Sequence, residues 1–193
     1  GSGTSWASAY KYLQDALAEV TSGDEIWVAE GVYKPNQGSG KATDDRASPF
    51  ILVNGVAMYG GFKGTETAEI PLGEGNQTIL SGEINADSTF WSLHVVYGEN
   101  LGGNTILNGF RITKGNANGN DFYENGGGLF LSNSSPVISN CVFTNNSAKT
   151  DGGGVHNYNS SPTLSNCAFT GNSAGYGGGI SNNSSSPTLS NCT

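Results

Sequence analysis

Charge is scarce in this chain. Asp, Glu, Lys and Arg make up only 12% of its 193 residues, and basic residues number eight against sixteen carboxylates. The net charge of −8 argues against a nucleic-acid partner, because a phosphate backbone is bound by a basic stripe. No apolar run is long enough to span a bilayer as a helix. The chain opens Gly1-Ser2-Gly3 without a signal peptide, which reads as a processed chain or a piece of a longer one. Cysteines number three and fall singly, so zinc spacing is absent and a full set of disulfides is impossible. Neither a P-loop nor a Gly-Gly-x-Gly-x-Asp calcium repeat occurs, and the expectation is no metal and no cofactor.

What is abundant is glycine, with 30 residues, beside eight Phe, eight Tyr and three Trp that a disordered tract would lack. The glycines are ordered. Gly126-Gly127-Gly128-Leu129, Gly152-Gly153-Gly154-Val155 and Gly177-Gly178-Gly179-Ile180 are each followed by a Ser-rich run ending at Pro136, Pro162 and Pro187. Ser-Asn-Cys then closes each unit at Cys141, Cys167 and Cys192. The Pro and Cys columns both step by 26 and then 25 residues, the period of a solenoid. Three strands of three to five residues, with corners at Ser-Ser-Pro, Ser-Asn and Asn-Ser-Ala, account for one period. The single-residue change falls between Cys and the next Gly triplet, as Lys149-Thr150-Asp151 against Gly175-Tyr176. A core register cannot slip by one without turning its side chains out, so this segment belongs at an exposed corner.

The expected fold is therefore all-β, a right-handed parallel β-helix of about six or seven coils forming one domain over 1–193. Residues 125–193 supply the regular repeats and 24–124 the irregular coils. Tyr10, Leu13, Leu17 and Val20 share one helical face, with Gln14, Asp15 and Glu19 opposite, which predicts a capping helix over about 8–22. Ile26–Ala29, Phe50–Val53, Val56–Tyr59, Thr78–Leu80, Leu93–Tyr97, Thr105–Leu107 and Phe110–Thr113 read as strands. Pro35–Ser48 and Lys63–Gly75, the latter with Glu66, Glu69 and Glu74, read as excursions from the coil. The Gly triplets read as tight corners with positive φ, and the cysteines as a buried column of free thiols. Asn-x-Ser sequons such as Asn133 and Asn159 are read as chance in so Asn- and Ser-rich a chain.

The Gly-Gly-Gly-Leu/Val/Ile units with Phe143-Thr144-Asn145-Asn146 and Phe169-Thr170-Gly171-Asn172 resemble the Gly-Gly-Ala-Ile and Phe-x-x-Asn repeats of polymorphic outer-membrane proteins. The start, Gly3-Thr4-Ser5-Trp6 with Asp24–Ala29 and Gly31-Val32-Tyr33, resembles the first coil of large bacterial surface proteins with right-handed parallel β-helices. The resemblance implies a pectin-lyase-like fold and a bacterial cell-surface, extracellular setting; it implies no reaction. The third motif position differs, being Gly where that family often has Ala.

Lyases and hydrolases on such a fold use paired acids, sometimes with a basic residue, on the outside of the sheet. Three groups are candidates here: Asp44-Asp45-Arg46, Glu83 with Asp87, and Asp121, Glu124 with Asp151. Hydrolysis needs two carboxyl groups facing one sugar bond, and lysis needs a base, for which Arg46 and Arg111 are the only arginines. The regular repeats carry almost no carboxylates, so the favoured reading is a structural or adhesive segment, with an enzyme acting on polysaccharide as the alternative. If Leu129, Val155 and Ile180 point inward, then Phe130, His156 and Ser181 point outward, followed by Ser132, Tyr158 and Asn183. Phe130, His156 and Tyr158 are thus candidate contacts for a glycan or surface-protein ligand. The chain closes at Cys192-Thr193 with no polar cap, and the expectation is self-association through that coil or fraying beyond about residue 180.

Overall fold

The computed structural model describes residues 1–66, 78–85, 87 and 90–193. Glu69 and Glu74 of the second predicted excursion lie outside the described residues. Short β-rich runs punctuated by Asn, Ser and Gly produce short strands here. In chain order they are β1 (Glu25–Ala29), β2 (Gly31–Tyr33), β3 (Phe50–Ile51), β4 (Ala57–Phe62), β5 (Thr78–Ser81), β6 (Val96–Glu99), β7 (Ile106–Asn108), β8 (Arg111–Thr113) and β9 (Asn116–Ala117). The regular half continues with β10 (Leu129–Ser132), β11 (Val137–Ser139), β12 (Val142–Thr144), β13 (Ser147–Ala148), β14 (Val155–Tyr158), β15 (Thr163–Ser165), β16 (Ala168–Thr170), β17 (Ile180–Asn183) and β18 (Thr188–Ser190).

Every strand pairs in parallel with its counterpart one coil away. Sheet I runs β1-β4-β7-β11-β15-β18, sheet II β2-β5-β8-β12-β16 and sheet III β3-β6-β10-β14-β17, with β9 and β13 paired at a corner. The chain passes from sheet I to II to III and back, so each circuit is one coil and sheet I shows six rungs. This is the expected parallel β-helix.

The core consists of columns of like residues. Sheet I stacks Ile26, Met58, Leu107, Ile138, Leu164 and Leu189. Sheet II stacks Tyr33, Leu80, Ile112, Phe143 and Phe169, the two phenyl rings parallel at 5.1 Å. Sheet III stacks Phe50, Val96, Leu129, Val155 and Ile180. These columns form one buried cluster from Leu13 to Cys167, each enclosed aliphatic side chain contributing roughly 1.5–3 kcal/mol. Leu189 in the last rung is 47% exposed.

Corners are made by residues in the left-handed region. Asn140, Asn166 and Asn191 have φ of 51°, 52° and 51°, and their amides donate to one another along the axis. Only the first glycine of each triplet, Gly126, Gly152 and Gly177, has positive φ. This corrects the expectation for the second and third; in the first two triplets these are glycine because neighbouring coils approach too closely. A Cβ on Gly127 would lie 2.1 Å from the Ser147 carbonyl oxygen, and one on Gly154 would lie 2.5 Å from that of Gly179.

The cap departs from expectation. The helix α1 spans only Leu13–Leu17, preceded by a 3₁₀ turn at Trp6–Ser8. Tyr12 stays extended (φ −118°, ψ 134°), breaking the periodic face. Beyond the helix end, Asp24 closes a turn by accepting from the Thr21 N–H and hydroxyl. Gln14, placed on the outer side from periodicity, is buried and donates to the carbonyls of Pro35 and Pro49. The 35–48 excursion folds over the helix, so the helix has two covered sides. No helix among the described residues is long and apolar enough to cross a membrane.

Cys141, Cys167 and Cys192 are free, stacked at one corner. Cys141 and Cys167 are buried, and their thiols donate to carbonyls such as Ser139 and Ser165. Burial pushes the two thiols up to about 12 and about 11, leaving them un-ionised and unreactive.

Candidate functional site

Alternation in sheet III sends Tyr97, Phe130, His156 and Ser181 outward in one register column, and Glu99, Ser132, Tyr158 and Asn183 in the next. Outward does not mean open. Residues 118–125 leave the coil between β9 and β10 and form a 3₁₀ turn at Asp121–Glu124 that lies over this column. Phe130 and His156 are consequently only 3% exposed.

The covering turn builds an aromatic cluster. Phe130 stacks on Tyr97 at 5.9 Å and meets His94 at 5.4 Å and His156 at 5.3 Å. Phe122 packs edge-on against Phe130 and Tyr158, each at 6.3 Å, and Tyr123 stacks on His94 at 5.7 Å. Such pairs contribute about 0.5–1.5 kcal/mol each beyond area burial. The outermost rings remain available: Phe122 is 64% and Tyr123 45% exposed.

Carboxylates hold the turn in place. Glu124 accepts from the Lys149 ammonium at 2.5 Å and the Thr150 hydroxyl at 2.9 Å, which keep its carboxyl below the usual range. Asn125 accepts from the Asp151 N–H, and Asp151 in turn accepts from the Ser181 hydroxyl at 2.9 Å. Asp121 sits exposed in the turn with φ 54°. The structure thus brings Glu124 and Asp151 to the same corner, with Phe130, His156 and Tyr158 on the adjoining face. Among the described residues no group of three or more His, Cys, Asp or Glu is placed to hold a metal ion.

The other candidate groups are engaged elsewhere. Asp45 accepts from the Ala47 N–H and the Ser48 hydroxyl, closing its own loop, while Asp44 is exposed. Arg46 donates to the Trp91 and Asn116 carbonyls and to the Asn118 side chain, with Phe90 beside its guanidinium. These bonds make it a strut beneath the 118–125 segment. Glu83 pairs with Lys114, whose ammonium lowers the carboxyl's pKa. Arg111 points out from sheet II between Ile79 and Val142.

Sequence reasoning missed His94, Tyr97, Phe122 and Tyr123. The adjacent aromatics Phe122-Tyr123 inside an Asn- and Gly-rich stretch were the available signal for a covering segment.

His94 donates through Nδ1 to the Gly126 carbonyl at 3.0 Å, whereas His156 Nδ1 is buried with no partner. Burial lowers both imidazoles, His94 to about 4, although hydrogen bonds to Gly126 and Asn125 oppose the shift. Histidine in the unfolded chain titrates near 6.5. Above that pH both states are neutral and the full stability is present. As pH falls from about 6.5 toward 4, the unfolded chain binds a proton that the folded chain does not, so stability is lost, by roughly 2–3 kcal/mol for His94. Thermal melts should show a falling midpoint between pH 7 and 4.5, and His94→Phe should flatten that slope.

The family model for a right handed beta helix region matches residues 94–193, more than half of the chain. No curated protein and no solved structure matches the sequence.

Proposed function

Because the chain belongs to the right-handed β-helix family, we propose that it is a non-catalytic structural or adhesive segment of a secreted or surface-anchored bacterial repeat protein. The observation that carries this reading is how the polar side chains are used. Ser134, Ser160 and Ser185 bond along one corner, Asn140, Asn166 and Asn191 along another, and the acids anchor loops. Chemistry-bearing groups are thereby consumed in building a rigid face, and Phe122, Tyr123 and Tyr158 form an aromatic platform upon it. Such a platform suits a glycan or a surface protein as ligand, since flat rings give contact area at small entropic cost.

The alternative is a polysaccharide lyase or glycoside hydrolase. His156, with its unpartnered Nδ1 on the face that adjoins Asp151 and Glu124, is the observation in its favour. A panel of acidic and neutral glycans separates the two readings. The expected result is retention on an immobilised glycan or surface extract, reduced at least fivefold by Phe122→Ala combined with Tyr158→Ala, and no release of ends. Release of unsaturated or reducing ends, abolished by Asp151→Ala, Asp121→Ala or Asp45→Ala, would overturn the structural reading.

A further inference from the structure

A concavity lies at the N-terminal end of the solenoid. Between the segment 3–20 and the first coil there is an open cleft of about 850 Å³, within the range of small-molecule sites. Its floor is apolar, made by Leu13, Ala16, Ile26 and Val28. Five aromatic rings line it: Trp6, Tyr10, Tyr12, Trp27 and Tyr33. Three of these are fixed by bonds to their polar atoms. Trp6 Nε1 donates to the Glu66 carbonyl at 2.9 Å, Trp27 Nε1 to the Glu25 carboxylate at 3.1 Å and the Tyr33 hydroxyl to the Ala29 carbonyl at 3.0 Å. Phe62 backs both indoles, lying flat against Trp27 at 5.0 Å and tilted against Trp6 at 5.7 Å. The walls are therefore held before any ligand arrives.

The charge on the lining has one sign. Glu25 and Glu66 contribute carboxylates, and none of the lining residues is Lys, Arg or His. Glu66 accepts from the N–H groups of Lys63, Gly64 and Thr65, which lowers its pKa and keeps it ionised. Aromatic faces and carboxylates together attract a cation and repel an anion. An ammonium alone would leave the apolar floor and rings largely uncovered. A pyranose covers them with its C–H face, and its hydroxyls meet the polar rim of Thr4, Ser5 and Thr65.

We propose that this cleft binds a cationic amino sugar, its ring laid against the Trp6 and Trp27 walls and its ammonium held by the Glu25 carboxylate, with Glu66 adding negative charge at the far side of the lining. This site is separate from the sheet III platform and stands independently of it. Two of the chain's three tryptophans line the cleft, so indole emission reports its occupancy.

The test titrates the full chain with a glucosamine hexamer, its N-acetylated counterpart, a galacturonate hexamer and spermine, reading emission and calorimetry together. The expected result is a saturable emission change with the glucosamine hexamer, at least tenfold tighter than with the N-acetylated hexamer, and no binding of the galacturonate. Glu25→Gln should weaken binding about tenfold. Equal binding of spermine, or an unchanged affinity in Glu25→Gln, would mean only counter-ion attraction to an acidic protein and would sink the proposal. Heat without an emission change would place the sugar elsewhere, overturning this site while leaving the outer-face reading intact.

Discussion

Gly153→Ala is expected to cost at least ~3 kcal/mol and to lower the thermal midpoint by roughly 6–12 °C. The middle glycine of the second triplet has no unusual φ, so a propensity argument misses it. Its place in the ladder sets the cost. A Cβ there would lie 2.4 Å from the Ser173 carbonyl oxygen and 2.7 Å from that of Gly178, both main-chain atoms of the following coil. Neither can move aside like a side chain. Gly153 also donates to the Gly177 carbonyl and accepts from the Gly128 N–H, so any shift strains bonds on both sides. Gly103→Ala is the control: its φ is not positive and the nearest atom to an added Cβ is 3.7 Å away. That change should fall within about 0.5 kcal/mol of wild type. Equal melting of the two variants would show that the coils do not approach as closely as described.

Asn146→Ala should be nearly as damaging, at about 2–5 kcal/mol. Asn146 is 1% exposed and sits inside the corner between sheets II and III. Its Oδ1 accepts from the Gly115 N–H and its Nδ2 donates to the Ile112 carbonyl, both at 3.0 Å. Asn172 repeats the arrangement one coil on, donating to the Phe143 carbonyl at 2.8 Å and accepting from the Asn146 N–H. Removing the amide leaves the buried Gly115 N–H unmet and takes one bond from the Ile112 carbonyl in the preceding coil. Asn146→Asp separates the polar requirement from size. The carboxylate can still accept from Gly115, but it sets an acceptor against the Ile112 carbonyl and buries a charge. Burial raises the pKa of such an acid, so relative to wild type this variant should be weakest at pH 7 and recover as the carboxyl protonates below it. Urea melts at several pH values give that comparison. A recovery toward higher pH would contradict the assigned bonds.

Asn146 also shows what could be read beforehand. The Phe-x-x-Asn spacing is visible in two repeats. The amide's partners could not be read, because they lie 31 and 34 positions back, beyond the regular period. The regular coils are legible because like residues recur at one spacing: Ser134 and Ser160 are bonded across 26 positions. The coil before them breaks that spacing with the 118–125 segment, and His94 meets Gly126 across 32. The column Phe130, His156, Ser181 was therefore found, its earlier member Tyr97 was missed, and so was the cover of Phe122 and Tyr123. The short α1 failed for a related reason. Periodicity sees one apolar face, but Gln14 is buried by a loop that returns from 21 and 35 residues away.

The stacking of like on like has a mechanical consequence. Each coil bonds only to the coils before and after it, so tension on a free end loads one rung at a time instead of shearing a whole sheet. A peeled coil of 25–26 residues converts an axial rise of ~4.8 Å into ~80–90 Å of extended chain. A chain pulled in this way would lengthen in even steps at a nearly constant force and rewind onto the remaining template when the load drops.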